Sequence, residues 1–210
     1  MSTPTAQPAR RRLAAIVAAA AAALMAGASP AAAQAAGARA VSGGAWGTAR
    51  EVTGLAALNQ GGFANITSVS CASAGNCTAG GSYTDSSGGG QAFVVSETNG
   101  TWGTAKEVPG LAALNQGGSA LITSVSCARA GTCAAGGSYT DSSGGQQAFV
   151  VTQANGSWGT AQEVPGTAAL NQAGAADTIS VSCTPAGTCS AGGIYTDSSG
   201  HHQAFVVTKA

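Results

Sequence analysis

The segment Ser70–Gly88 reads SCASAGNCTAGGSYTDSSG, and it returns nearly unchanged at Ser126–Gly144 and again at Ser182–Gly200. Cys71, Cys127 and Cys183 are spaced by 56 residues, and so are Cys77, Cys133 and Cys189. The chain is therefore three copies of one structural unit behind an N-terminal leader. Self-similarity at a fixed period is the signature of a repeat architecture, in which each copy is one supersecondary unit that buries its apolar surface against its neighbours.

The leader begins with a basic stretch that includes Arg10, Arg11 and Arg12, followed by the alanine-rich apolar run Leu13–Met25. Ala26–Pro30 breaks that run, and Ala31–Ala33 offers small residues to a peptidase. A charged start, a short apolar run and a small-residue site predict a secretory signal over residues 1–33. The run is short and alanine-rich for a membrane anchor, which is the alternative reading. The arginines leave the export route open between the general and the twin-arginine pathways. A linker over 34–43 and one repeat domain over 44–210 are expected to follow, with its fourth-strand segment at 44–54 and units at 55–110, 111–166 and 167–210.

No second apolar segment of spanning length follows, so the mature chain is expected to be soluble once the signal is removed. The whole sequence holds only 8 basic and 8 acidic residues, and no basic stripe occurs, which argues against nucleic acid and anionic membrane as partners. Its 32 glycines, with many Ala, Ser and Thr, suit strands joined by tight turns. The same composition suits a disordered chain, but the strict repeat and the recurring Trp, Tyr and paired Val residues oppose that reading.

All six cysteines lie in the repeats, two in each. An even count in an exported chain implies disulfides and an extracellular location. The short spacing within a unit favours Cys71–Cys77, Cys127–Cys133 and Cys183–Cys189. A loop this short stabilises by about 2–3 kcal/mol through chain entropy. A zinc site would need histidine or paired-cysteine ligands that the repeat lacks.

Within the second copy, Leu121–Cys127 alternates and is rich in β-branched residues, which predicts a strand. Ala128–Thr132 is a turn pinned by cysteines. Cys133–Tyr139 reads as a second strand whose small side chains imply that something packs closely over it. Asp141–Gly145 is turn chemistry. Gln147–Gln153 is a third strand, apolar on both faces like a strand covered on both sides. Asn155-Gly156 is the strongest hairpin signal, and it leads to a fourth strand, Trp158–Val164. The crossing Ala168–Gly174 has room for one helical turn and no more. Each unit is thus expected to be a four-stranded antiparallel meander in an all-β fold. The domain opens on a lone fourth strand, Trp46–Val52, and ends on a third strand, Gln203–Thr208. The opening strand is therefore expected to close the last unit, as propellers close to remove their edges.

A strand ending in Gly-Gly, then a turn, an apolar strand and a Trp some twenty residues on resembles a kelch-type propeller blade. Gly80-Gly81 with Trp102 and Gly136-Gly137 with Trp158 carry the likeness, and Gly192-Gly193 would take Trp46 by closure. The unit also resembles the cysteine-bearing tandem repeats of exported, mostly uncharacterised proteins of high-GC bacteria. It departs from kelch in the small residues before the glycine pair and in the disulfide. Three blades are fewer than propellers use. One solution is a homodimer whose two chains exchange first strands to complete a six-bladed ring. The other is a β-trefoil or β-prism with pseudo-threefold symmetry.

No catalytic, metal or cofactor constellation emerges, and no cofactor is expected. Asp85, Asp141 and Asp197 recur in turns, where capping suits them better than the paired carboxylates of a glycosidase. Glu51, Glu107 and Glu163 read as solvated edge charges, and His201-His202 as an exposed turn. No serine sits in a nucleophile elbow. The recurring aromatics Trp46, Trp102, Trp158, Tyr83, Tyr139 and Tyr195 are candidate sugar-stacking faces. Beside them Asn59-Gln60, Asn115-Gln116 and Asn171-Gln172 are candidate hydroxyl partners, three weak sites strengthened by multivalency. The opposing reading gives the aromatics to packing in a core of small residues. The expected function is a secreted, non-enzymatic binding module for a glycan or another surface polymer. A structural or adhesion scaffold for a protein partner is the alternative, and a glycoside-processing propeller enzyme is a third reading.

Overall fold

The computed structural model describes residues 44–209. The expected signal and linker lie outside them. The described residues form three antiparallel sheets, one per repeat. A single helical turn, α1 (Leu55–Leu58), leads into β1 (Ala64–Ser73), β2 (Asn76–Thr84) and β3 (Gly90–Thr98), followed by β4 (Thr101–Trp102) and β5 (Lys106–Glu107). The second repeat follows the same order: α2 (Leu111–Leu114), β6 (Ala120–Arg129), β7 (Thr132–Thr140), β8 (Gln146–Ala154), β9 (Ser157–Trp158) and β10 (Gln162–Glu163). The third has α3 (Thr167–Leu170), β11 (Asp177–Cys183), β12 (Cys189–Thr196) and β13 (His202–Lys209). The helical turns are the crossings between units, each entered through a left-handed glycine: Gly54, Gly110 or Gly166.

The strands run one or two residues past their expected ends in the first two repeats, so the cysteine turn shrinks to a tight hairpin. In the third repeat Pro185 follows Cys183 by two residues and has no N–H to extend the ladder, and β11 stops at Cys183. Asn155 adopts φ 49° and Gly156 φ 79°, the positive values that a two-residue hairpin turn demands.

Two expectations are corrected. The fourth strand is not continuous: β4 pairs with Glu97–Thr98 and β5 with Phe93–Val94, both on the same edge of β3. Between them the chain leaves that edge, and the Ala105 N–H donates to the Thr53 carbonyl at 2.8 Å. The second repeat does the same from Ala161 to Pro109. The second correction concerns Trp46–Val52, which forms no strand and does not close the third sheet. Leu55 N–H bonds the Val52 carbonyl as Leu111 bonds Val108, and Val52 packs on the first sheet's Tyr83, Phe93 and Val95 cluster. The segment sits where a preceding repeat's fourth strand would end, and a two-residue strand needs a neighbouring edge to exist.

The core lies between successive sheets. Ala92 and Val94 of the first sheet meet Ile122, Val125, Ala135, Phe149 and Val151 of the second. Ala134, Ala148 and Val150 of the second meet Val181, Ala191, Phe205 and Val207 of the third. Each sheet therefore has a large-residue face turned to the preceding repeat and a small-residue face turned to the following one. The glycine pair serves both needs. A Cβ on Gly80 would lie 2.9 Å from Ile122 Cδ1, and one on Gly136 would lie 2.5 Å from Thr178 Cγ2, so the first glycine makes room for the next repeat. A Cβ on Gly81, Gly137 or Gly193 would lie 1.9 Å from the carbonyl oxygen of Asn65, Leu121 or Asp177, so the second makes room for the unit's own first strand.

Candidate functional site

The disulfides join directly opposed residues of β1–β2, β6–β7 and β11–β12, with Cα atoms 3.9–4.0 Å apart. All six cysteines are bonded as expected, which fits an oxidising compartment. Among the described residues no helix is long and apolar enough to cross a membrane.

The recurring aspartates hold their own turns. Asp141 Oδ1 accepts from the Ser143 N–H at 2.8 Å, the Ser143 hydroxyl at 2.6 Å and the Gly145 N–H at 3.0 Å, while Oδ2 accepts from Gln147 at 2.8 Å. Asp85 repeats this set. The serine hydroxyl, ahead of the glutamine amide, holds both carboxyls down at about 2. Asp197 is lowered too, led by the His201 N–H. These donors tie the three recurring aspartates to their own turns. His201 lies 4.0 Å from Asp197, and His202 Nδ1 is 3.2 Å from the Thr196 hydroxyl. Among the described residues no group of three or more His, Cys, Asp or Glu is placed to hold a metal ion.

The candidate sugar contacts separate into two groups. Tyr83 and Tyr139 are buried packing residues, and Tyr83 lies 6.4 Å from Phe93 between ring centres. Burial, then the neighbouring Glu107 or Glu163, pushes each phenol up to about 12. Tyr139 donates to Glu163 at 3.3 Å, so these glutamates are not merely solvated edge charges. Tyr195 is half-buried. Asn115 and Asn171 are buried too. Asn115 donates to the Gly90 carbonyl and to Gln91, and accepts from the amides of Ser119 and Thr140. Asn171 makes the same contacts one repeat later. Asn59 is half-buried, and Gln60, Gln116 and Gln172 cap carbonyls of the helical turns. Asn115 and Asn171 thereby tie each unit to the next. Trp46 and Trp102 are exposed, and Trp158 is half-buried. Trp102 lines a groove of about 490 Å³ with Arg50, Glu51, Glu97, Ile66 and Val69.

That groove includes the exposed apolar residues Ile66 and Val69. Val69 is 55% exposed, whereas Val125, its counterpart one repeat on, is 6% exposed. Ile66 is 43% exposed and Ile122 fully buried. At the other end Val206 is 89% exposed, against 1% for Val94. Ala204 is exposed where Ala92 and Ala148 are buried, and a Cβ on Gly192 would meet only its own sheet. The first sheet thus presents a large-residue face and the third a small-residue face, both without a neighbour among the described residues. The sequence holds the pieces of this surface, but periodicity alone does not tell an inner repeat from an outer one.

No family model matches the chain, and no match was found among curated proteins.

Proposed function

We propose that this chain is an exported, disulfide-stapled, non-enzymatic repeat module that works by protein–protein contact through the faces of its outer sheets. Its sheets are read as propeller-type blades, because the core lies between successive sheets, rather than as a trefoil or prism. The observation that carries the functional reading is the pair of apolar faces around Val69 and Val206. Exposed contiguous apolar surface marks interaction sites, and here the polar residues that would otherwise recognise a ligand are committed to turns.

A glycan or surface-polymer role is the second reading, favoured by one observation: exposed Trp102 beside Arg50 and Glu97 in the groove. An aromatic ring with polar neighbours suits a sugar ring. Crosslinking in the exported fraction tests the first reading, with wild type, Val69→Asp and Val206→Asp compared. The expected result is a crosslinked protein product that both variants lose. A product unchanged in both variants, together with glycan binding lost in Trp102→Ala, would replace the first reading by the second.

A further inference from the structure

We infer that the partner of these two faces is a second copy of this chain, bound head to tail, with the first sheet of one copy seated on the third sheet of the other. This deepens the protein-contact reading and rests on it. The same contact already occurs twice inside the chain.

Its polar part repeats with the period. The Val125 and Cys127 N–H groups donate to the Ser68 and Ser70 hydroxyls of the preceding sheet at 2.9 and 3.0 Å. The Val181 and Cys183 N–H groups donate to Ser124 and Ser126, both at 3.0 Å. Ser180 and Ser182 occupy the next such places and accept no backbone N–H from a following sheet among the described residues. Val69 and Cys71 are their register partners and have no preceding sheet among the described residues. A second copy supplies each with the other. Thr67 and Thr123 each donate to a carbonyl of the following sheet, those of Ile122 and Thr178. Ile179 stands in the third such place, so the contact between chains keeps the serines and drops that hydroxyl.

The apolar part fits in the same register. Ile122 sits over Gly80 and Thr178 over Gly136, and Ile66 of the second copy would sit over Gly192. Val206 and Ala204 would be covered as Val94 and Ala92 are.

The backbone completes the match. β5 and β10 pair with Phe93–Val94 and Phe149–Val150. Phe205–Val206 are the third such pair, and among the described residues the third sheet has three strands. Arg50–Glu51 hold the place one repeat before β5, and the Val52 and Thr53 carbonyls already accept the bonds that those of Val108 and Pro109 accept. In the assembly Arg50–Glu51 of one copy pairs with Phe205–Val206 of the other. Glu51 then reaches Tyr195 as Glu163 reaches Tyr139. A head-to-tail contact closes or propagates according to its rotation. Two three-sheet chains with two such contacts make a closed ring of six.

The test is the mass of the purified, oxidised, exported chain by light scattering. Val69→Asp and Val206→Asp change exposed positions, and their circular dichroism should match wild type. Wild type is expected at the mass of two chains, and each variant alone at one. An equimolar mixture of the two variants holds one intact contact and is expected to return to two chains. Its Kd should be at least about 100-fold weaker than that of wild type, whose second contact is intramolecular. The double variant is expected to stay at one chain alone and to join neither single variant. A wild type that stays at one chain at all concentrations, or a variant mixture that fails to associate, would overturn the inference. If the monomer still crosslinks to another exported protein through these faces, the module reading stands and only the second copy is lost.

Discussion

Ile122 and Ile66 occupy the same place in successive repeats, each opening an Ile-Thr-Ser-Val-Ser-Cys segment, yet one is sealed and the other is open to solvent. The six-residue segments that they open are identical. What separates them is the sheet in front: Ile122 has the glycine floor of the first sheet beneath it, and Ile66 has none among the described residues. In a repeat protein stability is a sum of unit and neighbour contributions, so one residue type carries very different weight at an inner and an outer place.

Truncation should separate the two isoleucines most. In dilute, monomeric protein Ile122→Ala is expected to cost about 2–5 kcal/mol in denaturant unfolding, and Ile66→Ala less than about 1. Raising the protein concentration should close that gap, because the second copy covers Ile66. Equal costs in the monomer would mean that the outer face is already covered.

The floor itself can be tested next. Gly136→Ala places a methyl group against Thr178 and is expected to cost about 1–3 kcal/mol. Gly192→Ala meets nothing beyond its own sheet and is expected to leave the monomer's unfolding midpoint within experimental error, while weakening association.

A smaller effect separates the third repeat from the first. Asn65 accepts from the Ser82 hydroxyl at 2.8 Å. Asp177 stands in its place, Ile194 replaces the serine, and Asp177 Oδ1 is buried without a partner. Burial pushes this carboxyl up to about 6. A raised carboxyl favours its protonated form in the fold, so its contribution is full below about pH 4 and is lost as the pH rises through about 6. Asp177→Asn should therefore raise Tm at pH 7.5 and leave it unchanged at pH 4. A variant that lowers Tm at pH 7.5 would show that the carboxylate has a partner.

Much of the unit is legible in the chain because its determinants are local. Alternation placed the first long strand, a run of small residues the second and an apolar run between turns the third, while Asn155-Gly156 placed the hairpin and Asp141 with Gly145 the capped turn. The cysteine spacing placed the disulfides. The small residues before Tyr139 implied close packing above them, and Ile122 and Thr178 are what packs over these strands' first glycines. The fourth strand broke because Ala105 and Ala161 bond backbone across the repeat boundary, which no pattern within Trp158–Val164 encodes. The candidate site was less legible for the same reason. Asn115 looks like a ligand-binding residue in a loop-rich sequence, but the neighbouring unit buries it, and Tyr139 is buried just as Tyr83 is one repeat earlier. Val69, Val125 and Val181 share the sequence Ser-Val-Ser-Cys and differ only in what lies in front of them.

The most direct measurement is amide hydrogen exchange at Val69 and Cys71 against Val125 and Cys127, followed across protein concentration. The inner pair donates to serines of the preceding sheet and should be protected throughout. If the sheet-to-sheet contact recurs between chains, the outer pair will be unprotected in dilute protein. At high concentration it will rise to within about 10-fold of the inner pair. Outer amides that stay unprotected at every concentration, or that are protected equally at the greatest dilution, would contradict the account.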